Sequence, residues 1–212
     1  MHFRDRKEAG RKLAGALSQY KDADTVVYAL PRGGVVLGAE VASALKAPLG
    51  LVISRKVGHP EQPEYGVCAV TDKGHLVCSR REIARLDAAW LTTAVQKEQA
   101  EAKRRRRAYQ ADRASTPAEG KTAIIVDDGV ATGLTMLAAV EDVKNQEPKR
   151  VVLASPVIPK DLAGRLERYV DEVVTLDTPA VYMGAVGAYY DNFEQVEDKE
   201  VKDVLKKVKS KQ

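Results

Sequence analysis

A chain of 212 residues, 44% of them hydrophobic, can bury one sizeable core and is expected to form a single α/β domain over residues 1–212 rather than two independent units. The formal charge of +4, from 34 basic and 30 acidic residues, is small and mixed along the chain, so it suits an anionic small molecule as well as nucleic acid. The opening MHFRDRKEAG is charged where a signal peptide needs an apolar stretch, and no apolar run approaches the ~18 residues of a membrane span, so a cytoplasmic protein with no membrane contact is expected.

Ala9, Leu13, Ala16, Leu17 and Tyr20 recur at helical spacing and predict an amphipathic helix over Asp5 to Tyr20. TVVYAL, Thr25 to Leu30, is a β-branched run suited to a buried strand. It stops at Pro31-Arg32-Gly33-Gly34, after which VVLGAEVASAL resumes helical spacing, and strand, glycine turn, helix is the first unit of a parallel sheet. Leu49 to Ser54 reads as a second strand ending in Arg55-Lys56. The prolines and glycines of VGHPEQPEYG then predict a mobile loop over Val57 to Tyr65, with His59 an ordinary loop residue. Gly66 to Val70 and His75 to Ser79 read as a hairpin around Asp72-Lys73-Gly74, with Gly74 in the left-handed position. That register sets Cys68 opposite Cys78. Two cysteines are too few for a zinc site or a disulfide framework, and a reducing cytoplasm argues for free thiols.

Arg80 to Arg113 lacks proline and glycine and predicts one long helix or two abutting ones, the run Lys103 to Arg107 being a solvated or subunit-facing surface rather than a phosphate site. Further strands are expected over Lys121 to Val126, Arg150 to Pro156 and Glu172 to Leu176, with helices over Leu134 to Asn145 and Leu162 to Tyr169 and a fraying helix in KDVLKKVKSKQ. Alternating strands and helices imply an α/β fold with a doubly wound, mostly parallel sheet flanked by helices.

Chemistry is concentrated in TAIIVDDGVATGLTM, residues 122–136, where a hydrophobic strand delivers two adjacent carboxylates and then a glycine- and threonine-rich turn that opens a helix. Gly129 and Gly133 permit a sharp turn whose N–H groups converge on one anion, and the Thr132 and Thr135 hydroxyls add donors. Asp127 and Asp128 would repel that anion unless they bind sugar hydroxyls or magnesium on the same ligand. Pro31-Arg32-Gly33-Gly34 is a second candidate anion turn, and in an open parallel sheet both turns lie at the carboxyl ends of the strands. Alone, the Asp-Asp pair could be a helix cap and Gly33-Gly34 a tight turn; their joint occurrence in this order describes a ribose with phosphate at one end and pyrophosphate at the other.

VDDGVATG, residues 126–133, resembles the 5-phosphate signature of the type I phosphoribosyltransferases, and the resemblance spans roughly Thr25 to Phe193. It implies that Asp127 and Asp128 hold the ribose hydroxyls, with magnesium reached through water. By the same resemblance Gly129, Val130, Ala131, Thr132, Gly133 and Thr135 hold the 5-phosphate, and Arg32, Gly33 and Gly34 form the pyrophosphate loop. Arg55-Lys56 with Glu64-Tyr65-Gly66 look like the region that closes over pyrophosphate in adenine and orotate enzymes, which makes Lys56 a catalytic candidate beside the two aspartates. The stretch Tyr182 to Asp191 is similar to the hood of purine enzymes, with Tyr182 or Met183 a stacking partner for the base. A core over residues 24–178 and a hood from residues 1–20 and 179–200 follow from this layout, with the hairpin lying over the loop region.

The resemblance implies a magnesium-dependent transfer of ribosyl 5-phosphate from 5-phosphoribosyl 1-pyrophosphate to a purine or pyrimidine base, by a homodimer and without nucleic acid. Ala131 stands where many 6-oxopurine enzymes carry a carboxylate base, and the Ala131-Thr132-Gly133 run is closer to adenine- and uracil-type enzymes. The alternative is a non-catalytic sensor of the ribosyl donor that binds nucleic acid through the helix ending at Lys103 to Arg107, although no DNA-reading module is evident.

Overall fold

The computed structural model describes residues 1–110 and 116–209. In chain order they form α1 (Arg6–Ala16), β1 (Thr25–Ala29), α2 (Gly34–Leu45), β2 (Leu49–Leu51), β3 (Ser54–Gly58), β4 (Gly66–Thr71) and β5 (Leu76–Cys78). These are followed by α3 (Arg80–Ile83), α4 (Ala88–Gln110), β6 (Thr122–Val126), α5 (Leu134–Lys144), β7 (Arg150–Val157), α6 (Lys160–Leu166), β8 (Glu172–Asp177) and α7 (Asp198–Lys209). The short 3₁₀ turns Ser18–Tyr20 and Val186–Tyr189 complete the inventory. Residues 111–113, the end of the predicted long helix, and residues 210–212 of the basic terminus lie outside the described residues.

Five strands pair in parallel in the order β2-β1-β6-β7-β8, as the alternation of elements predicts. The central strands are apolar throughout because both faces are covered. Val27, Ile124 and Val152 join α1, α2 and α7 in one core, while Val26, Ile125 and Leu153 join α5 and α6 in the other. Successive side chains point to opposite faces, so each strand feeds both cores. Among the described residues no helix is long and apolar enough to cross a membrane.

Two sequence expectations are corrected. The second strand does not run on to Ser54. It breaks at Val52-Ile53, and the chain leaves the sheet edge for a second, antiparallel sheet of order β3-β4-β5. Arg55, Lys56, Val57 and Gly58 are thus strand residues, and the connection left between Gly58 and Gly66 is spanned by hydrogen bonds from His59 N to Tyr65 O (2.8 Å) and from Tyr65 N to Gln62 O (2.8 Å). Second, the hairpin has the expected register and Gly74 has φ +98°, but Cys68 and Cys78, directly opposite with Cα atoms 4.0 Å apart, are joined as a disulfide rather than left as thiols. Register brings the sulfurs together, whatever a compartment argument suggests. Of the two alternatives for the segment from Arg80, the structure takes two helices: the Asp87 carboxylate accepts the Trp90 N–H at 2.7 Å and caps a new start, a signal present in the sequence as Leu-Asp-Ala-Ala-Trp.

Candidate functional site

The two glycine turns meet at the carboxyl ends of β1 and β6, which are adjacent in the sheet. Leu30 N–H donates to Val126 O at 3.0 Å, so the chain enters Pro31-Arg32-Gly33-Gly34 alongside the start of Asp127-Asp128. The Pro31–Arg32 peptide is cis. There is no room for a side chain where the turns touch: a Cβ on Gly34 would lie 2.9 Å from Val126 O and 3.0 Å from Asp127 Oδ1, and one on Gly33 would overlap the Asp128 carboxylate. Glycine at both positions is therefore required by close approach, not by a positive φ.

The second turn is shaped by its own hydrogen bonds. Asp128 N–H donates to Asp127 Oδ1 at 2.9 Å, and Val130 N–H to Val157 O at 3.0 Å. Gly133, at φ +83°, leads into α5, so the helix N-terminus faces the turn. Ala131 and Thr132 are exposed and Thr135 half-buried, as groups facing a ligand would be, whereas the Val130 side chain is in the core. Overhead, Val186 of the Val186–Tyr189 turn packs on Gly129 so closely that a Cβ there would overlap it.

Electrostatically the adjacent aspartates are unequal. Burial, and secondarily the charge of Asp128, pushes the Asp127 carboxyl well above the usual carboxylate range. Asp128 is held in its ion pair: Arg6 Nε donates to its Oδ2 at 2.7 Å, and both side chains are largely buried. The Tyr190 hydroxyl donates to the Asp128 carbonyl at 2.6 Å, and burial with the nearby Asp128 charge holds that phenol far above the ordinary tyrosine range, so it stays protonated and donating. Arg6 and Tyr190 escape sequence reasoning. Arg6 is one basic residue among several in an N-terminal helix, and Tyr190 stands out only as part of an aromatic stretch.

The basic residues expected at the site point elsewhere. Arg32 faces Glu197 and Asp198 at the start of α7, at 3.6 and 3.7 Å. Arg55 is paired with Glu98 of α4 at 2.8 Å, and Lys56 Nζ donates to both the carbonyl (2.8 Å) and the carboxylate (3.0 Å) of Glu64. Gly33, Gly34, Asp127, Asp128 and Gly129 are thus brought together, and Arg32, Arg55 and Lys56 are each held on carboxylates. In the hood, Tyr182 stacks on Tyr189 with ring centroids 5.7 Å apart, and its hydroxyl is buried without a hydrogen-bond partner among the described residues. Met183 is exposed, and its N–H donates to the Tyr189 hydroxyl at 3.0 Å.

Comparison with known proteins agrees with this geometry. The family model of the phosphoribosyl transferase domain matches residues 4–192. A protein of Mycobacterium tuberculosis, named "Putative phosphoribosyl transferase" in strains H37Rv and CDC 1551 / Oshkosh, is 42% identical over 201 residues, which are 94% of this chain and 45% of that protein. The chain thus spans about half the length of the curated relatives it matches. The crystal structure of TT1426 from Thermus thermophilus superposes with a TM-score of 0.80 at 40% identity, covering 97% of this chain and 98% of that one. With the strand-end acid pair and both glycine turns in place, the chain belongs to the phosphoribosyl transferase domain family.

Proposed function

We propose that the chain transfers the ribosyl 5-phosphate of 5-phosphoribosyl 1-pyrophosphate to a nitrogenous acceptor, a purine or pyrimidine base, and releases pyrophosphate. The observation that carries this reading is the meeting of two strand-end glycine turns around one acid pair, with no space for a Cβ on Gly33 or Gly34. A sugar bearing phosphate at one end and pyrophosphate at the other matches two anion turns flanking carboxylates.

Breaking the bond from ribose C1 to pyrophosphate builds positive charge on the sugar. Asp127 and Asp128 would hold the ribose and favour that charge, while the turn from Gly129 to Thr135 anchors the 5-phosphate. Of the four carboxylate oxygens, Asp127 Oδ1 accepts the Asp128 N–H and Asp128 Oδ2 accepts from Arg6. A magnesium ion would be carried mainly by substrate phosphates and water, with Asp127 and Asp128 reaching it through water. When bound, magnesium would neutralise the leaving pyrophosphate. Ala131 can neither take nor give a proton, which favours adenine- or uracil-type acceptors over 6-oxopurines.

The test is a screen of purine and pyrimidine bases for pyrophosphate release from the donor with magnesium, paired with calorimetric binding of the donor. Release with at least one base is expected. The absence of both release and donor binding would end the proposal.

A further inference from the structure

We propose that Arg6 is the positioning residue that sets Asp128 for the ribosyl donor, which makes α1 part of the catalytic apparatus rather than a supporting helix. The inference rests on the proposed transferase reading and adds to it a residue from the opposite end of the chain.

Three contacts hold the Arg6 guanidinium. Nε reaches Asp128 Oδ2 at 2.7 Å, a terminal nitrogen donates to the Glu194 carbonyl at 2.7 Å, and the guanidinium carbon lies 3.7 Å from the centre of the Phe193 ring. A planar, forked cation can satisfy all three at once, and a lysine ammonium cannot. The backbone beneath it is equally constrained. The Asp5 carboxylate accepts the Glu8 N–H at 2.7 Å and caps α1, while Phe3 N donates to Tyr189 O and Asp191 N to Phe3 O, tying the N-terminal segment to the hood.

The place of this contact is what argues for function. A Cβ on Gly33 would lie 2.9 Å from Arg6 Nε as well as overlapping Asp128, so Arg6 stands where both glycine turns and the acid pair converge. With 12% and 15% side-chain exposure for Arg6 and Asp128, this is no loosely solvated surface pair. Tyr190 holds the same residue by its carbonyl, so Asp128 is gripped at backbone and carboxylate by two hood elements. Its other carboxylate oxygen is thereby presented in one orientation, as a group that must meet a ribose hydroxyl requires.

The test compares Arg6→Ala and Arg6→Lys with the unmodified protein, following pyrophosphate release against donor concentration and measuring donor binding by calorimetry. Misplacement of Asp128 should lower kcat/KM for the donor about 10- to 100-fold, mostly in kcat, with Arg6→Lys recovering only a small part. Unchanged kcat in Arg6→Ala overturns the proposal, and so does tighter donor binding, which would make Arg6 a competitor of the ribose. Should Arg6→Ala not fold, Phe193→Leu keeps the guanidinium and removes the ring beneath it. A fall in kcat shared by Phe193→Leu and Arg6→Lys supports the role, and unchanged kcat in both overturns it. If the unmodified protein turns over and Arg6→Ala matches it, only Arg6 loses its role. If the unmodified protein neither binds donor nor releases pyrophosphate, the transferase reading itself has failed, and this role with it.

Discussion

The turn around Asp127 and the arm around Lys56 are both marked by sequence as parts of one site, yet they are built in opposite ways. At Asp127 to Gly133 the backbone does the shaping: absent side chains at Gly33, Gly34 and Gly129 let three segments close on one acid pair. The arm relies on long basic side chains, and each has found a carboxylate nearby, Arg55 with Glu98 and Lys56 with Glu64. A glycine contact has one realisation, whereas a flexible cation takes whatever anion lies within reach. Backbone-built parts of the site are therefore preformed. Under the proposed function the side-chain-built parts would have to exchange an internal carboxylate for substrate phosphate, which requires the substrate contact to outweigh the one it replaces.

The largest effect should come from the preformed half. Replacing Asp127 and Asp128 together with asparagine should leave the fold intact and cut pyrophosphate release about a thousandfold, since the amides keep the shape and lose the charge. The folded molecule should not become less stable at neutral pH through Asp127. Because burial raises its carboxyl above the ordinary 3.8, its favourable contribution is present below that value and fades as pH rises through the raised one, and asparagine removes the cost of ionising it. Thermal melts from pH 3 to 8 check the sign, and near-normal turnover would sever the acid pair from the chemistry.

Next in size is Gly33→Ala. The added methyl must displace the Asp128 carboxylate or part the two turns, so activity should fall about 100-fold, with an overpacking cost of about 1–3 kcal/mol in denaturant unfolding. Full activity would show that the close approach of the turns is incidental.

The same contrast explains what could be read from sequence. Strands buried on both faces announce themselves as TVVYA and TAIIV, and a glycine or acid pair at a strand end limits the chain to few conformations, so the sheet and Asp127 to Gly133 were legible. Ser54–Gly58 was not, because SRKVG has no clear alternation and becomes a strand only through β4, whose Ala69 and Val70 pair with Lys56 and Arg55. Arg6 and Asp128 are separated by 122 positions, and no local pattern links them. The Cys68–Cys78 register was visible in the hairpin, while the bond was obscured by an argument about compartment that geometry overrode.

A smaller effect is expected in the arm. Lys56→Ala should lower kcat/KM for the donor about tenfold, the worth of one charge-assisted hydrogen bond, and Glu64→Ala should release Lys56 and tighten donor binding. Limited proteolysis between His59 and Tyr65 gives an independent check. Cleavage should slow when donor and magnesium are added to the unmodified protein, and Lys56→Ala should lose most of that protection. Cleavage indifferent to ligand would make the arm a connector and break the comparison on its side-chain half.

The smallest effect belongs to the basic run of α4, where the cations are paired with carboxylates, Arg104 among them with Asp198, which also faces Arg32. Glu101 accepts from Arg104 at 2.7 Å and from Arg105 at 2.8 Å, and Arg106 is bidentate to Asp72 at 2.9 and 3.0 Å. Arg104 is held by Glu101 and Asp198 on an exposed helix face and touches neither the acid pair nor a glycine turn directly, so Arg104→Ala should leave donor turnover unchanged. The hydrogen bond from Arg104, with help from Arg105, lowers the Glu101 carboxyl from 4.5 to about 2. A depressed acid contributes stability above its ordinary value and loses it as pH falls, so the contribution of Glu101 is complete above pH 4.5 and disappears on descent through about 2. Glu101→Gln should therefore lower stability by less than about 1 kcal/mol at neutral pH, the worth of a solvated pair, and the difference should vanish near pH 2 and shrink in high salt. A large loss at neutral pH, or a loss of turnover, would mean that these side-chain pairs shape the site after all, and the division between a backbone-built half and a side-chain-built half would have to be redrawn.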